Sequence, residues 1–262
     1  MSNKKEKFAR FGIATKGAVY IIIGVLAVLA AVGQGGEKTG SSGALDQIAS
    51  APFGQALLIL TGIGLLGYMF WRFYQAFSDS ENNGEDAKGI FIRIGFVISG
   101  IVYGALAYTA FSTVIGALSS GSGGGKESMV STLLNKPYGQ YIVGFVAICL
   151  LIKAGFQFYL AFSEKYKEKV ESSGLKQEAQ SILLKAGKIG FTARGVVIAL
   201  ITYFTFQAAL NSNSDKAGGT KQALNFLENE FGSVVLIVVA FGLAAYGVFM
   251  FIRAKYSQLN IN

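Results

Sequence analysis

The stretch RFGIATKGAVY, from Arg10 to Tyr20, occurs three times in this 262-residue chain in closely related form. RIGFVISGIVY follows at Arg93–Tyr103, and KIGFTARGVVI follows at Lys188–Ile198. The copies are offset by 83 residues (10 to 93) and then by 95 residues (93 to 188). Internal self-similarity of this kind indicates a chain built from three copies of one structural unit.

The composition indicates a membrane protein. Hydrophobic residues make up 52% of the chain, and the mean hydropathy is +0.47. Only 15% of the residues are charged, against about 25% in soluble domains. A bilayer span takes about 20 apolar residues, and six blocks of that size carry at most one charge. They are residues 17–36, 47–71, 94–125, 137–163, 195–214 and 231–252. We therefore predict six transmembrane helices.

Each copy of the motif opens a unit of two helices. After the first apolar helix come a Gly/Ser-rich loop, a short amphipathic segment and a second apolar helix. The second helix begins at PFGQ (Pro52–Gln55), at PYGQ (Pro137–Gln140) and at FGS (Phe231–Ser233). Proline lacks an N–H, which the first helical turn does not need, so both prolines mark helix starts. We divide the chain into repeats at 1–80, 81–165 and 166–262, which together form one membrane domain.

The number of spans in each repeat determines how the repeats are related. Two spans return the chain to its starting side, so all three repeats enter the membrane in the same direction. Parallel repeats are related by an axis along the membrane normal. The sequence therefore predicts an all-α bundle of six transmembrane helices with pseudo-threefold symmetry. Short amphipathic turns are expected on its outer face.

The basic residues predict the orientation. Of the 23 Lys and Arg residues, 18 lie near the termini or near the loops that follow the second and fourth spans. Five lie on the opposite side, at Lys38, Lys126, Lys136, Lys216 and Lys221. Lys and Arg are enriched in cytoplasmic loops. We therefore expect both termini in the cytoplasm.

Glycines in the repeated motif predict close helix packing. Two glycines five residues apart recur in every copy, and the second copy adds a GxxxG. The predicted packing residues are Gly12, Gly17, Gly95, Gly100, Gly104, Gly190 and Gly195. Small residues allow two helix backbones to approach closely, which is a main source of packing energy in lipid.

A polar column accompanies these glycines. Lys16, Ser99 and Arg194 each lie four residues after the first glycine of their motif and share its helix face. Two cations and a hydroxyl near the bundle axis would suit an anion or a lipid phosphate. Alternatively, Lys16 and Arg194 lie close enough to the helix start to extend to the headgroups, which is the interpretation we favour.

The second helices carry another polar row. Tyr68, Lys153 and Tyr246 align with one another, and Arg72 aligns with Gln157 four residues later. A charge at the bilayer centre costs at least about 2.5–3.5 kcal/mol, and no Asp or Glu lies in the core of a predicted span. Lys153 is then neutral, solvated in a cavity, or bound to backbone carbonyls or to an anion. It is either functional or part of a buried polar contact, for example with Tyr68 or Tyr246.

Catalytic and metal chemistry is not suggested by the sequence. Histidine is absent, and the single cysteine, Cys149, lies inside a predicted span. Motifs of hydrolases, P-loop proteins, dinucleotide-binding folds and zinc sites are missing. We therefore expect no catalytic residue, no metal and no cofactor. The net charge of +8 is accounted for by topology and anionic headgroups, so we expect membrane lipids and no nucleic acid as partners.

The repeated units resemble a known family. The segments ARFGIATKGAVYIIIGVLA, GALDQIASAPFGQALL and GLLGYMFWRFYQAF of the first repeat carry the resemblance. They are similar to a bacterial integral-membrane family known only as domain of unknown function number twelve hundred and six. The second repeat departs from the pattern at Ile152, Lys153 and Gln157, and the third lacks the proline. The resemblance implies the bacterial cytoplasmic (inner) membrane and no established activity.

Two functions fit these features best, and a membrane enzyme comes third because no catalytic base is evident. The first is a non-enzymatic membrane module that binds a partner membrane protein or an anionic lipid, as an accessory subunit of a larger complex. The alternative is a small anion or solute channel or transporter, in which the polar column selects anions. The candidate ligand-binding residues are Lys16, Ser99, Arg194, Lys153 and Arg72.

Overall fold

The computed structural model describes residues 2–78, 84, 86–116, 130, 133–163 and 177–256. Seven α-helices and one short 3₁₀ helix account for most of these residues. The helices are α1 (Ser2–Ala31), α2 (Ser41–Ser50), α3 (Gly54–Ser78), α4 (Ala87–Val114), α5 (Gly139–Ser163), α6 (Gln177–Leu210) and α7 (Thr220–Tyr256), with the 3₁₀ helix at Ser214–Lys216. The Gly/Ser stretch at 121–125 lies outside the described residues.

Six of these helices are long and apolar enough to cross a bilayer. They are α1, α3, α4, α5, α6 and α7, with candidate spans of 23 to 37 residues. At 1.5 Å per residue, the shortest covers about 34 Å, which exceeds the roughly 30 Å hydrocarbon layer. The prediction of an all-α membrane protein with three two-helix repeats is confirmed.

The six spanning helices follow one another around the bundle in the order α4, α3, α1, α7, α6, α5. Neighbours in this order pack closely along their lengths. Helices α4 and α5 would close the ring, but over their described residues they do not pack against each other. The pseudo-threefold arrangement is therefore interrupted at one place, inside the second repeat.

The three interfaces between repeats are equivalent. Each places the second motif glycine of one repeat against a phenylalanine on the second helix of a neighbouring repeat. The contacts join Gly17 to Phe251, Gly100 to Phe73 and Gly195 to Phe158. At Gly17 the backbones also approach, since an added Cβ would lie 2.8 Å from the Gly247 oxygen. Glycine permits this spacing because it has no side chain.

The first residue of the motif binds the end of a neighbouring helix. The Nη1 atom of Arg10 donates to the backbone oxygens of Ala254 and Lys255, at 2.6 and 2.8 Å. Arg93 Nε donates to the Ala76 oxygen at 2.6 Å. These carbonyls lie at helix C-termini, where positive charge is stabilising. The contact of Arg10 with the end of α7 also places the beginning of α1 and the end of α7 on one face of the bundle, which we call the terminal face.

On the opposite face, the loop face, the second helices begin near the two prolines. Phe53 and Tyr138, directly after them, have φ angles of 61° and 64° and are largely exposed. Aromatic residues in this position suit the membrane interface. In the third repeat no proline intervenes, and α7 continues through a kink at Gly232, where φ is 83°.

The amphipathic segments of the loop face are longer than the turns expected from sequence. In the first repeat the segment forms the helix α2, and in the third it forms the beginning of α7. Lys38 pairs with Glu228, and Lys221 Nζ lies 3.0 Å from Glu37 Oε1, which links the first and third repeats. Most of the corresponding segment of the second repeat lies outside the described residues.

Candidate functional site

A group of cations and tyrosines converges inside the bundle. We call it the cation–tyrosine cluster, and its members are Lys16, Tyr20, Tyr68, Arg72, Tyr103, Arg194 and Tyr246. Tyr68 lies 14 residues after Gly54, or about 21 Å of helix from the loop face. In a hydrocarbon layer of roughly 30 Å, the cluster is thus nearer the terminal face.

Lys16 is the most enclosed cation of the cluster, with a relative exposure of 2%. Its Nζ atom donates a hydrogen bond to Tyr68 Oη at 2.9 Å. The same Nζ lies 4.7 Å from the centroid of the Tyr68 ring and 5.4 Å from those of Tyr103 and Tyr246. Aromatic faces attract cations, so three tyrosines from three different helices, α3, α4 and α7, stabilise one ammonium group.

Arg194 repeats the arrangement of Lys16 in the third repeat. Its Nη1 atom donates to Tyr246 Oη at 2.8 Å, and its Nε atom donates to Tyr20 Oη at 3.1 Å. The rings of Tyr20 and Tyr246 meet edge to face, with their centroids 4.9 Å apart. Each of these two cations therefore binds the tyrosine on the second helix of its own repeat.

Arg72 joins the cluster from the terminal side. Its Nε atom donates to Tyr68 Oη at 2.8 Å, and its Nη1 atom donates to Oε1 of the fully buried Gln75 at 2.8 Å. The Tyr68 oxygen thus accepts hydrogen bonds from both Lys16 and Arg72. A tyrosine oxygen has two lone pairs, so the Tyr68 hydroxyl is left with its O–H as a donor.

The second repeat supplies the same two groups on exchanged helices. Repeats one and three place a cation on the first helix and a tyrosine hydroxyl on the second. In repeat two the hydroxyl, Ser99, is on the first helix and the cation, Lys153, is on the second. Both side chains are half-buried, and Ser99 makes no hydrogen bond to another described residue.

Comparison with known proteins assigns the chain to a family. The family described as Domain of Unknown Function (DUF1206) matches it three times, at residues 11–79, 94–164 and 189–257. The chain belongs to the DUF1206 family. An uncharacterized protein, YxxB, of Bacillus subtilis (strain 168) is 32% identical over 256 residues, which cover 97% of this chain and 92% of YxxB. No solved structure matches the chain.

The cation–tyrosine cluster of this DUF1206 protein has an excess of positive charge. The described residues form ion pairs at Arg10–Glu6, Lys38–Glu228 and Lys221–Glu37, and in none of them does Lys16 or Arg194 take part. Cation–π contacts are worth about 0.5–2 kcal/mol each, which offsets part of the cost of burying a charge in the membrane. The remaining imbalance is complementary to an anion.

The structure brings three of the five predicted ligand-binding residues into the cation–tyrosine cluster. Lys16 points into the cluster and not to the headgroups, contrary to the interpretation that we favoured from sequence. Arg194 and Arg72 bind tyrosine hydroxyls beside it, while Ser99 and Lys153 belong to the repeat whose helices stand apart.

Sequence reasoning did not assign Tyr20 and Tyr103 to the site. Tyr20 accepts a hydrogen bond from Arg194, and the ring of Tyr103 packs edge to face on Tyr68 with centroids 4.5 Å apart. A signal was present, since each lies four residues after Lys16 or Ser99 and so shares its helix face. Which cation each tyrosine meets depends on contacts between repeats, and the spacing does not contain that information.

The predicted packing glycines divide into two groups. A Cβ atom added to Gly12, Gly17, Gly100, Gly104, Gly190 or Gly195 would lie between 2.3 and 3.1 Å from an atom of another helix. At Gly95 an added Cβ would meet no described atom within 4 Å. Gly95 lies on α4 where α5 would pack, so its open surroundings reflect the missing interface between these two helices.

Proposed function

We propose that this DUF1206 protein is a non-enzymatic membrane protein that binds an anionic group in the cation–tyrosine cluster. The observation that carries the proposal is the burial of Lys16 in one cluster with the half-buried Arg194, with no carboxylate bound to either among the described residues. Buried charges in proteins are ordinarily paired. An anion would supply the missing partner.

The donors of the cluster suit a phosphate or a carboxylate group. Lys16 has three N–H donors and uses one of them for Tyr68 within the described residues. The Tyr68 hydroxyl, which already accepts two hydrogen bonds, contributes its O–H. Charge-assisted hydrogen bonds to such oxygens are about twice as strong as neutral ones, and a bound anion would also reduce the repulsion between Lys16 and Arg194.

Burial of the cluster favours binding over conduction. Lys16, Tyr68 and Tyr246 are each about 2% exposed, whereas the cations of an ion pathway line water. The alternative of an anion channel or transporter therefore receives less support than a binding site. A bound anion held by Lys16 and three tyrosines would act as part of the protein's resting structure.

The proposal is tested by the thermal stability of the purified protein in a zwitterionic detergent. Inorganic phosphate and an anionic phospholipid, phosphatidylglycerol, are titrated separately into the wild type and into Lys16→Met and Arg194→Gln. Ligand at 100 times its Kd stabilises a protein by about 2.7 kcal/mol. We expect a rise in Tm with at least one of the two ligands, and a loss of that rise in both variants. Lys185→Met, which changes an exposed cation on α6, is the matched control.

Two results would overturn this function. One is a Tm that neither phosphate nor phosphatidylglycerol raises in the wild type. The other is an equal rise in the wild type, in the two cluster variants and in Lys185→Met, because that pattern indicates general stabilisation by charge. Circular dichroism of the unliganded variants shows whether the helices have formed.

We propose further that the protein lies in the bacterial cytoplasmic membrane with its terminal face in the cytoplasm. The charge distribution supports this orientation, with 18 of 23 basic residues near that face. A C-terminal fusion to green fluorescent protein should fluoresce, and a fusion to alkaline phosphatase at the same position should be inactive. The reverse pattern would place the termini outside.

A further inference from the structure

Among the described residues, the second repeat has an opening between α4 and α5, which we call the repeat-2 gap. One side of the gap is formed on α4 by Gly95, Ile98 and Val102, and the other on α5 by Cys149 and Ile152. These residues are identified by alignment with the first and third repeats. In those repeats the same positions are the contact between the first and the second helix. Among the described residues, α4 and α5 make no such contact.

Glycine positions show the difference directly. A Cβ at Gly12 would lie 2.3 Å from the Tyr68 nitrogen, and one at Gly190 would lie 2.6 Å from the Tyr246 Cα atom. The equivalent partner of Gly95 is Lys153, but Gly95 faces open space. Two repeats therefore bring the backbone of the second helix onto the motif glycine, and the second repeat does not.

Larger side chains account for the separation of α4 and α5. Thr15 packs on Gly64 in the first repeat, and Ala193 packs on Gly242 in the third. At these positions the second repeat has Ile98 and Cys149. One turn along, Ile152 replaces Gly67 and Ala245. Side chains of this size cannot interdigitate at a spacing that needs glycine, so the gap is a property of the sequence of this repeat.

Exposure confirms that the α4 wall has no protein cover among the described residues. Ile98 is 43% exposed and Val102 is 44% exposed. Their counterparts are buried at 8% or less in both other repeats: Thr15, Ala193, Val19 and Val197. The exposed side chains are apolar and lie within the candidate span Ile92–Val114, so hydrocarbon is the medium that meets them.

The gap lies at the depth of the cation–tyrosine cluster. Ser99 and Tyr103 directly follow Ile98 and Val102 on α4, and Lys153 directly follows Ile152 on α5. The Tyr103 ring in turn lies 5.4 Å from Lys16 Nζ. Apolar walls open to the lipid therefore lead inward to a hydroxyl and to cations.

We propose that the repeat-2 gap holds an anionic phospholipid, with an acyl chain along Ile98, Val102 and Ile152 and the phosphate at Ser99 and Lys153. This inference rests on the proposed function, because a phosphate at Ser99 and Lys153 would lie beside the cation–tyrosine cluster, at the depth of Tyr103. It names a phospholipid as the source of the anion. The combination of apolar walls and a cationic end matches an amphiphilic anion. A soluble anion would gain nothing from the walls, and a neutral lipid would gain nothing from Lys153 and Lys16.

Cys149 provides a probe of the gap, because it is the only cysteine of the chain and belongs to the α5 wall. The full-length protein is placed in nanodiscs of phosphatidylcholine, with or without phosphatidylglycerol. The rate at which an apolar maleimide labels Cys149 is then measured. We expect phosphatidylglycerol to slow labelling at least several-fold in the wild type and in Lys185→Met. In Lys153→Met and Ser99→Ala we expect little or no slowing.

A second measurement varies the gap itself. The triple variant Ile98→Ala, Cys149→Gly, Ile152→Ala gives the second repeat the residues of the third and should let α4 and α5 approach. Native mass spectrometry counts the phosphatidylglycerol molecules that remain on the protein after delipidation. We expect the wild type to retain at least one phosphatidylglycerol molecule more than the triple variant. The effect of inorganic phosphate on the Tm should be the same in both proteins.

The outcomes separate this inference from the proposed function. Inorganic phosphate is added to the protein in phosphatidylcholine nanodiscs as a comparison. If it slows Cys149 labelling as much as phosphatidylglycerol does, the lipid is not the ligand, and only the anion site stands. If phosphatidylglycerol does not change the rate of Cys149 labelling, the gap is not its binding site. This conclusion holds whatever Tm the Lys16→Met variant shows. Protection of Cys149 in native membranes but not in nanodiscs with phosphatidylglycerol would assign the gap to a protein partner and would also overturn it.

Discussion

The first and third repeats differ from the second in one interface, although all three begin with the same motif. In repeats one and three the first helix lies against the second with glycine at the contact, and the cation of the first helix binds the tyrosine of the second. In repeat two the helices stand apart, and the cation has moved to the second helix. All three contacts between repeats place the second motif glycine against a phenylalanine of the neighbouring repeat.

The comparison shows that the motif does not determine the contact within a repeat by itself. Gly12, Gly95 and Gly190 are equivalent in sequence, but the opposing residues decide whether the glycine is used. Gly64 and Gly242 accept a neighbouring side chain, and Cys149 does not offer that space. A gap formed in this way keeps the fold, since three equivalent interfaces between repeats still hold the bundle together.

The largest expected effect tests the glycine contact within a repeat. Gly12→Ala places a Cβ 2.3 Å from the Tyr68 backbone, and overpacking of this kind costs about 1–3 kcal/mol. We expect a loss near 2–3 kcal/mol, measured as the free energy of unfolding in mixed detergent micelles. Gly95→Ala is the control from the second repeat, and alanine is the better helix former there, so its stability should not fall. Equal losses at both positions would contradict the comparison.

The next effect concerns the terminal face, where the repeats also differ. Arg10 and Arg93 bind carbonyls at helix ends, whereas Lys188 Nζ lies 5.6 Å from the centroid of the Phe162 ring. Hydrogen bonds from charged groups contribute about 1.5–3 kcal/mol, and an exposed cation–π contact about 0.5–1 kcal/mol. Arg10→Met should therefore destabilise the protein more than Lys188→Met. The same unfolding measurement decides, and a larger loss at Lys188 would contradict the expectation.

A smaller effect of opposite sign is expected at Lys153. Lys153 is half-buried within the candidate span Gly139–Ser163, where a charge is costly, so Lys153→Met should raise the Tm of the delipidated protein by an amount equivalent to about 1 kcal/mol, less than the cost at a fully buried site. Lys185→Met should leave the Tm unchanged, because Lys185 is exposed. The Lys153 variant would then combine higher stability with weaker lipid binding. A lower Tm would mean that the contacts of Lys153 outweigh the cost of its burial.

The smallest effect belongs to the loop face. Lys221 and Glu37 pair across the first and third repeats with both side chains more than half exposed, and exposed ion pairs contribute about 0–1 kcal/mol. Glu37→Gln should lower the stability by less than about 0.5 kcal/mol, and 0.5 M salt should remove the difference. A larger loss would show that this link helps to hold the two closed repeats together.

Much of the architecture follows from patterns that are local in the chain. Apolar blocks of about 20 residues predict the spans, and the recurrence of RFGIATKGAVY predicts the three repeats. Pro52 and Pro137 come within two residues of the starts of α3 and α5. These features depend on residues that are close together in the chain and on their hydrophobicity. Both can be read from the sequence.

The candidate site was predictable only in part. The alignment of Lys16 with Arg194 and of Tyr68 with Tyr246 was visible, but the pairing of each cation with a tyrosine was not. The sequence favoured extension of Lys16 to the headgroups, whereas the structure encloses it with 2% exposure. Its direction depends on three rings from three other helices, which only the packed bundle brings together.

By itself, the sequence determined that this is a membrane protein of six helices in three parallel repeats, because hydrophobicity and repetition act locally. The tertiary structure decided which glycines are contacts, which cations are buried and where the ring stays open. The physical reason is that close packing depends on both surfaces at once, so the volume opposite Gly95 matters as much as the glycine. Equivalent motifs consequently form two closed repeats and one open one.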